Sequence, residues 1–560
     1  MGCLAQHLRP WLLILPLALP LLPSEPAAAA PTSPRSSVYG SLLGDLEKIL
    51  RDLERFDAIV EPGSQGQPPG PLPSLAAPAP LALPQDPAAV RERQRQRLSL
   101  SQAVALAVSN NPGLAQSVAG VERQRALLRS AWGRFAPTLS LNLGAQSGMN
   151  RVFEQALVGN SAIYAPASPF FVPSGSWKSD LQTNFGGLFA LTENYVLLDF
   201  SRGPALARAE DSLEASRQTY ADGLRQLQLS ISESYYAIQL AQLRRRIREA
   251  EVFNNRALRE QASALLASGL VPRVDLFRAD AALQQSRFQL VQVEADLLSH
   301  QRQLSNLVNV PFDVTLLATE PVQLQPPWPL DLNRTLVAGF DANPQLRAIE
   351  AARSALLRQA DEQAAALLPS LSVYVSAQYG QNTLAKTDRS NTGCCGVAVI
   401  PELTGHAFGW AAGLRLNWLL MDGGISRGQV EASRAAASGL AQQQAQERNA
   451  IRQRLEQAFF QHQASLSQVI AARASLKAAR EAFRDMRARY QLGLADYTDV
   501  SDTILSLTRA MEDKAMAITT ANLSYARLLR DLLPVPSDPS RPVTLPLTLP
   551  EPSSRGEGSR

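Results

Sequence analysis

The chain contains itself twice. Asn111-Pro112-Gly113-Leu114 returns as Asn343-Pro344-Gln345-Leu346, and Ala136-Pro137-Thr138-Leu139-Ser140 returns as Leu368-Pro369-Ser370-Leu371-Ser372, both 232 residues later. Leu198-Asp199-Phe200-Ser201-Arg202-Gly203 has its counterpart in Met421-Asp422-Gly423-Gly424-Ile425-Ser426-Arg427-Gly428. Gly269-Leu270 with Asp275 matches Gly493-Leu494 with Asp499, 224 residues apart. Four landmarks kept in one order restrict the fold to two copies of one unit.

Each copy reads as a short helix, an Asn-Pro break, a medium helix, a strand, a loop, a second strand, a very long helix, a glycine turn and a returning helix. Proline explains the break, because it removes a helix donor and pushes the preceding residue out of the α region. The long helix of the first copy spans about residues 204–267, which at about 1.5 Å per residue reaches about 95 Å. Its apolar positions Tyr220, Leu224, Leu227, Ile231, Tyr235 and Ile238 advance in steps of three and four. The returning helix, about residues 273–309, carries Leu276, Leu283, Leu290, Leu297 and Leu304 seven apart, with Val293 and Leu307 in the other seam position. The second copy offers Val500, Ile504, Leu507, Met511, Ile518, Tyr525 and Leu528. Sustained spacing near 3.5 residues predicts antiparallel coiled-coil hairpins. The returning helix is much shorter than the outgoing one, so a second short helix is expected to stack end to end with it beside the long one.

Between the helices the pattern changes to period two. Leu139, Leu141 and Leu143 alternate with Ser140, Asn142 and Gly144; Leu371, Val373, Val375, Ala377 and Tyr379 alternate with Ser372, Tyr374, Ser376 and Gln378. Ala412, Leu414, Leu416, Trp418 and Leu420 face away from Gly413, Arg415, Asn417 and Leu419. About ten residues with one apolar and one polar face suit a bilayer-spanning strand, and a half-buried strand of a soluble sandwich alternates in the same way. The segments at about residues 146–180 and 380–407 are long, rich in Ser, Gly and Asn, and read as surface loops. Four strands cannot close a barrel, and an open edge cannot lie in lipid. If the strands span, the chain must oligomerise, and three copies supply twelve strands.

Composition narrows the function classes. The 54 basic and 50 acidic residues leave a net charge of +4, so no whole-protein field points to nucleic acid. Arg244-Arg245-Arg246 and the run from Arg91 to Arg97 read as solvated faces. The three cysteines are Cys3 and the adjacent Cys394 and Cys395, which excludes a disulfide framework and a zinc cluster. His300, His406 and His462 fall in different elements without partners at ligand spacing. Asp422-Gly423-Gly424 lacks the lysine arrangement of a phosphate loop and reads as a strand-to-helix turn. No nucleophile, base, cofactor or metal constellation emerges, so the chain is not expected to be an enzyme.

The first thirty residues carry His7 and Arg9, an apolar run from Trp11 to Leu22, and alanines from Ala27 to Ala30. That is the pattern of a secretory signal whose apolar core is too short to span a membrane. Residues 41–60 place Leu43, Leu46, Leu50, Leu53 and Phe56 on one stripe among charges, a short amphipathic helix, followed by a linker rich in Pro and Ala. The expected division is a signal at 1–30, an extension at 31–97, repeats at 98–320 and 321–533, and a disordered tail rich in Pro and Ser at 534–560.

The element order, the duplication, the Asn-Pro-x-Leu box, the turns at Asp199 and Asp422 and the two Gly-Leu tips together resemble the TolC family of outer-membrane efflux factors over about residues 98–533. The resemblance implies an α+β membrane fold: a homotrimeric, 12-stranded outer-membrane β-barrel with four strands per chain, continued by a long periplasmic α-helical coiled-coil barrel. It implies a passive duct in the outer membrane that extends into the periplasm. An inner-membrane pump or ABC transporter and a periplasmic adaptor would drive efflux or type I secretion through it. The adaptor would meet the tips, Gly269, Leu270 and Val271 on one and Gly493, Leu494 and Ala495 on the other. A periplasmic gate would comprise Asp275, Tyr490, Asp499 and Asp502. Relatives carry a gate arginine where this chain has Ala495, so Arg273 and Asp496 are the expected replacement ion pair. For Asp275, Asp499 and Asp502 the alternative is plain acidity at a helix N-terminus; for Tyr490 it is a seam position. A competing reading of the whole chain is a soluble periplasmic coiled-coil scaffold or adaptor.

Overall fold

A computed structural model describes residues 75–155, 177–341, 343–384, 387–388, 399–400, 403–492 and 494–549. The signal at 1–30, the helix expected at 41–60, Cys394, Cys395 and Gly493 lie outside the described residues. In chain order the helices are α1 (Leu100–Asn110), α2 (Pro112–Gly133), α3 (Arg202–Ala267), α4 (Arg273–Val308), α5 (Leu332–Asp341), α6 (Pro344–Ala364), α7 (Ile425–Gln491) and α8 (Tyr497–Leu532). The strands are β1 (Gln94–Leu98), β2 (Thr138–Gln155), β3 (Trp177–Leu198), β4 (Val314–Ala318), β5 (Ser370–Leu384), β6 (Thr387–Asp388), β7 (Val399–Ile400) and β8 (Leu403–Asn417).

The Asn-Pro boxes are caps as well as breaks. Asn111 accepts the Leu114 N–H at 3.0 Å with proline at the first helical position, and Asn343 accepts the Gln345 N–H at 3.0 Å. The freed amide of Asn111 donates to the Leu307 carbonyl at 2.8 Å, and Asn309, in a left-handed conformation, donates to Asn110 at 3.0 Å. Those two bonds join the end of α4 to the start of α2, so the two shorter helices stack along α3 as the lengths require. In the second repeat α6 and α8 share α7 in the same way.

The hairpins follow their heptads. All six seam residues named on α3 are buried, as are all seven on α8; on α4, Leu283, Leu297 and Leu304 are buried and Leu276 and Leu290 half-buried. The hairpins α3–α4 and α7–α8 pack through α3 and α8, giving the lateral order α4–α3–α8–α7. Tyr235 is fully buried and donates to the Leu98 carbonyl at 3.0 Å, tying the long helix to the small parallel pair β1–β4. Removing that hydroxyl takes away one of two donors to the Leu98 carbonyl, which the Thr319 N–H still serves at 3.1 Å, a loss of about 1 kcal/mol. His462, buried under Trp328 and Tyr525, accepts the Trp328 N–H at Nε2 and meets Ala521 and Ser524 at Nδ1. Burial lowers its pKa, so it is a neutral core residue.

The four long strands form one antiparallel sheet in the order β2-β3-β5-β8. Register aligns Leu143 with Phe189 and Tyr379 with Phe408, then Leu141, Leu191, Ala377 and Trp410, then Leu139, Glu193, Val375 and Ala412. One continuous apolar face results, broken only by Glu193, and its large side chains are exposed; Trp410 and Phe408 are each 76% accessible. From Phe408 to Leu416 is about 27 Å along a strand, or about 21 Å at a tilt near 40°, close to the height of a lipid-facing band. The opposite face carries Ser140, Asn142, Thr192, Asn194, Ser372, Ser376 and Gln378. No described helix is long and apolar enough to cross a membrane.

Several expectations are corrected. The segments read as loops at 146–180 and 380–407 are partly strand: β2 runs on to Gln155, β3 starts at Trp177, β5 ends at Leu384 and β8 starts at Leu403. The backbone ladder continues past the point where apolar alternation stops, because pairing in a hairpin needs only donors and acceptors in register. The strand expected to include Trp418 and Leu420 ends at Asn417. The boundary at 97/98 cuts through β1, whose Gln94 to Leu98 pair with β4.

The tail assigned to disorder is packed through residue 549. Val535, Val543, Leu545, Leu547 and Leu549 lie half-buried on α3 and α8, Gln228 donates to Pro546 at 2.7 Å, and Leu549 donates to Tyr525 at 3.2 Å. Buried Arg225 anchors its start on the carbonyls of Leu533 and Asp531. Residues 543–549 alternate Val, Leu, Leu and Leu with Thr, Pro and Thr, a one-sided extended strap that its proline content disguises. Truncation after Leu533 is expected to lower the melting temperature of the detergent-solubilised protein by about 5 °C. Truncation after Leu549 should leave it unchanged, with thermal unfolding monitored by circular dichroism.

Candidate functional site

The residues singled out at the sequence level gather at the far end of the long helices. The first tip is a Schellman turn: Gly269 at φ 73° donates to Leu266 at 3.0 Å and Leu270 donates to Leu265 at 2.9 Å. Glycine is needed there because a side chain is disfavoured at positive φ. Pro272 then fixes an extended residue before α4, whose first residue is Arg273. At the second tip Leu494 donates to Arg489 at 2.9 Å, the equivalent bond five residues back. Both turns leave a leucine in solvent, Leu270 at 72% and Leu494 at 74% accessible.

Inside the tips Tyr490, Tyr497 and Val500 are buried in one apolar cluster, and Ala495 packs against it. Burial raises the pKa of Tyr490 first, with the nearby Asp275 carboxylate and then Tyr497 adding to it. Tyr497 is shifted upward by burial first, and Asp275 contributes there as well. The first turn of α4, the last of α7 and the first of α8 therefore meet around Asp275. The Tyr490 hydroxyl is buried without a hydrogen-bond partner. Asp275 pairs with Arg278 at 3.5 Å within its own helix turn. Sequence reading missed Tyr497 and Arg278; the i,i+3 spacing of Asp275 and Arg278 was the available signal for the second.

The acids beyond the turn divide by role. Asp496 is the N-cap of α8 and forms a capping box with Asp499, whose carboxylate accepts the Asp496 N–H at 3.4 Å. Asp499 and Asp502 both face solvent. The ion pair expected between Arg273 and Asp496 does not form within the protomer; the Asp496 carboxylate is engaged in the capping box instead. Among the described residues no cluster of three or more His, Cys, Asp or Glu side chains is arranged to hold a metal.

At the other end of the long helices the duplicated aspartates turn strand into helix. Asp199 accepts the Ser201 N–H and hydroxyl at 2.9 and 2.7 Å. Asp422 accepts Gly424 and Ser426 N–H groups at 3.0 and 2.7 Å. The bonds from Ser426 lead the effects holding the Asp422 carboxyl below its usual range.

The family model for outer membrane efflux proteins matches residues 103–310 and 340–531, one match per repeat. No curated protein matches the chain by sequence. Among solved structures the fold is similar to the outer-membrane channel OprN, at 18% identity and a TM-score of 0.57, covering 84% of this chain and 98% of that one. It is similar to the outer membrane protein VceC from Vibrio cholerae, at 17% identity and a TM-score of 0.59, covering 77% and 95%. It also resembles the CmeC outer membrane channel of Campylobacter jejuni, at 12% identity and a TM-score of 0.58, covering 82% and 94%. Two matched repeats, a sheet with one apolar face and paired tips at the far end of long helices lead to one conclusion: the chain belongs to the outer membrane efflux protein family and is a channel subunit of the outer membrane.

Proposed function

We propose that the chain is one third of a homotrimeric export duct, gated at its periplasmic tips and driven by an inner-membrane pump or ABC transporter through a periplasmic adaptor. The observation that carries this reading is the matching of two open flanks. The sheet ends in β2 on one side and β8 on the other, and the helices end in α4 and α7. Repeat one supplies β2 and α4, and repeat two supplies β8 and α7. Head-to-tail rotation then brings repeat two of one protomer beside repeat one of the next, closing sheet and helices in a single ring.

The free flank of α4 supports that closure. Leu270, Val274, Phe277, Ala281, Gln284, Phe288, Val291, Ala295 and Leu298 form a second stripe at spacings of four and three, exposed in the protomer. Phe277 and Phe288 are 61% and 67% accessible. A helix with two seams belongs to a closed helical barrel, where each neighbour takes one seam. The flank of α7 offers Phe460 and Ile470. Phe288→Asp is expected to convert a trimer that survives mild detergent and dissociates on heating into a monomer on unheated gels. A wild-type protein that is a soluble monomer would instead support the periplasmic scaffold.

Gly269, Leu270, Val271, Gly493, Leu494 and Ala495 are the proposed adaptor-contact positions. Three copies of Asp499 and Asp502 would ring the mouth of the duct with carboxylates, which favour cations. Single channels of the wild type are expected to prefer potassium to chloride, and Asp499→Asn with Asp502→Asn to lower that permeability ratio at least twofold in 0.1 M salt, where the screening length is about 10 Å. Anion preference in the wild type would overturn the acidic mouth.

Closure is assigned to the apolar packing around Tyr490 together with Asp275. Arg273 and Asp496 are kept as an ion pair between neighbouring protomers, since both are exposed and unpaired with each other inside one. Arg273→Ala should then raise the conductance of the closed channel; an unchanged closed conductance assigns closure to the tyrosine cluster alone.

A further inference from the structure

The polar face of the sheet holds one feature that the export duct does not require. Register places Tyr374 of β5 opposite Gly413 of β8, with Arg415 two residues further along the same face. The Arg415 guanidinium lies over the Tyr374 ring, 5.0 Å from its centroid. Gly413 makes this possible: a Cβ there would stand 3.0 Å from the tyrosine oxygen and 3.1 Å from the ring edge. The glycine lets the ring lie against the strand, and the ring in turn holds the arginine by a cation–π contact. Leu414 and Leu416 on either side of Arg415 belong to the exposed apolar face, so Arg415 points to the opposite side.

Among the described side chains of that face, from Thr138 to Gly144 on β2, Ala190 to Val196 on β3, Ser370 to Gln378 on β5 and Gly409 to Asn417 on β8, Arg415 is the one that carries charge. It sits two residues from the end of β8, where the sheet gives way to α7. Twelve strands about 4.8 Å apart and tilted near 40° enclose a backbone radius of about 12 Å, so tyrosine and arginine side chains narrow the opening substantially.

We propose that Tyr374 and Arg415 form a cationic selectivity ring at the base of the barrel, opposing the acidic mouth at the other end of the duct. This inference rests on the trimeric duct reading, which makes the polar face a lumen. The two rings act in series and give the pore a built-in polarity. With the periplasmic side positive, cations enter past Asp499 and Asp502, anions enter past Arg415, and the duct fills with both. With the opposite polarity each ring turns back the ions driven toward it, and the duct is depleted. Current is therefore larger when the periplasmic side is positive. The permeant class favoured at the barrel end is anionic, and a planar anion can also lie against the tyrosine ring.

The test is single-channel recording of oriented channels in 0.1 M and 1 M potassium chloride. The wild type is expected to rectify in 0.1 M salt and to lose rectification in 1 M salt, where the screening length falls to about 3 Å. Arg415→Gln should reduce the asymmetry and raise the potassium-to-chloride permeability ratio at least 1.5-fold, Arg415→Glu should raise it further, and Arg415→Lys should keep the wild-type direction of rectification. Discrete conductance steps in every variant report an assembled pore. Arg415→Gln and Arg415→Glu channels with wild-type asymmetry and permeability ratio would overturn the ring while leaving the duct intact. A wild type that forms no conducting pore would overturn the duct, and the ring with it.

Discussion

A backbone N–H or C=O group in hydrocarbon has no water to turn to, and the rest of this structure depends on that constraint. The four-stranded sheet satisfies its interior strands and leaves two edges, β2 and β8, with unmet donors and acceptors. Its outward face, from Leu139 on β2 to Leu416 on β8, is too apolar to stand in water. Lipid accepts the face and refuses the edges. Only a closed ring resolves both demands, and the proposed trimer is the smallest head-to-tail assembly that turns four strands into twelve. The helices inherit the solution, since β3 runs into α3 through Asp199 and β8 into α7 through Asp422, so a ring of strands dictates a ring of helices below it.

Duplication makes that ring economical in sequence. Each repeat carries the same cap at the Asn-Pro box, the same aspartate turn and the same six-residue turn bond at its tip, so the two halves differ mainly in side chains. The differences fall where the duct is proposed to work. Tip two adds the capping box of Asp496 and Asp499 and the pair Tyr490 and Tyr497, while tip one brings Asp275 beside them. Ala495, where the family resemblance leads one to expect an arginine, packs against the apolar cluster. In the proposed gate, apolar packing would then stand in for a charged latch, which shifts the closing interaction from long-range attraction toward contact that must be broken side chain by side chain.

Local signals were legible wherever one chemical rule acts over short range. Proline at 112 and 344 ended helices, heptad leucines on α4 announced a seam, and period-two leucines on β2 and β5 announced strands. The α4 bounds were anticipated to within one residue, because Pro272 and Asn309 act on the backbone beside them. Other features were hidden because their causes are distant in sequence. The strap at 543–549 looked like a disordered tail, since its partner Gln228 lies 318 residues before Pro546. The pair β1–β4 escaped notice because Gln94 to Arg97 read as a charged run until the partner strand, 220 residues later, supplied the ladder.

The sequence by itself determined the duplicated unit, its helices and strands, and the family to which the unit belongs, because propensity, capping and periodicity are properties of neighbouring residues. Tertiary structure alone decided which acids cap and which face solvent, that Asp275 sits by two tyrosines, that Arg415 is held on a tyrosine across the strand, and that both flanks stay open. Apart from the local capping box, those outcomes depend on register and on helix order, which arise from contacts tens to hundreds of residues apart and leave no local mark in the chain.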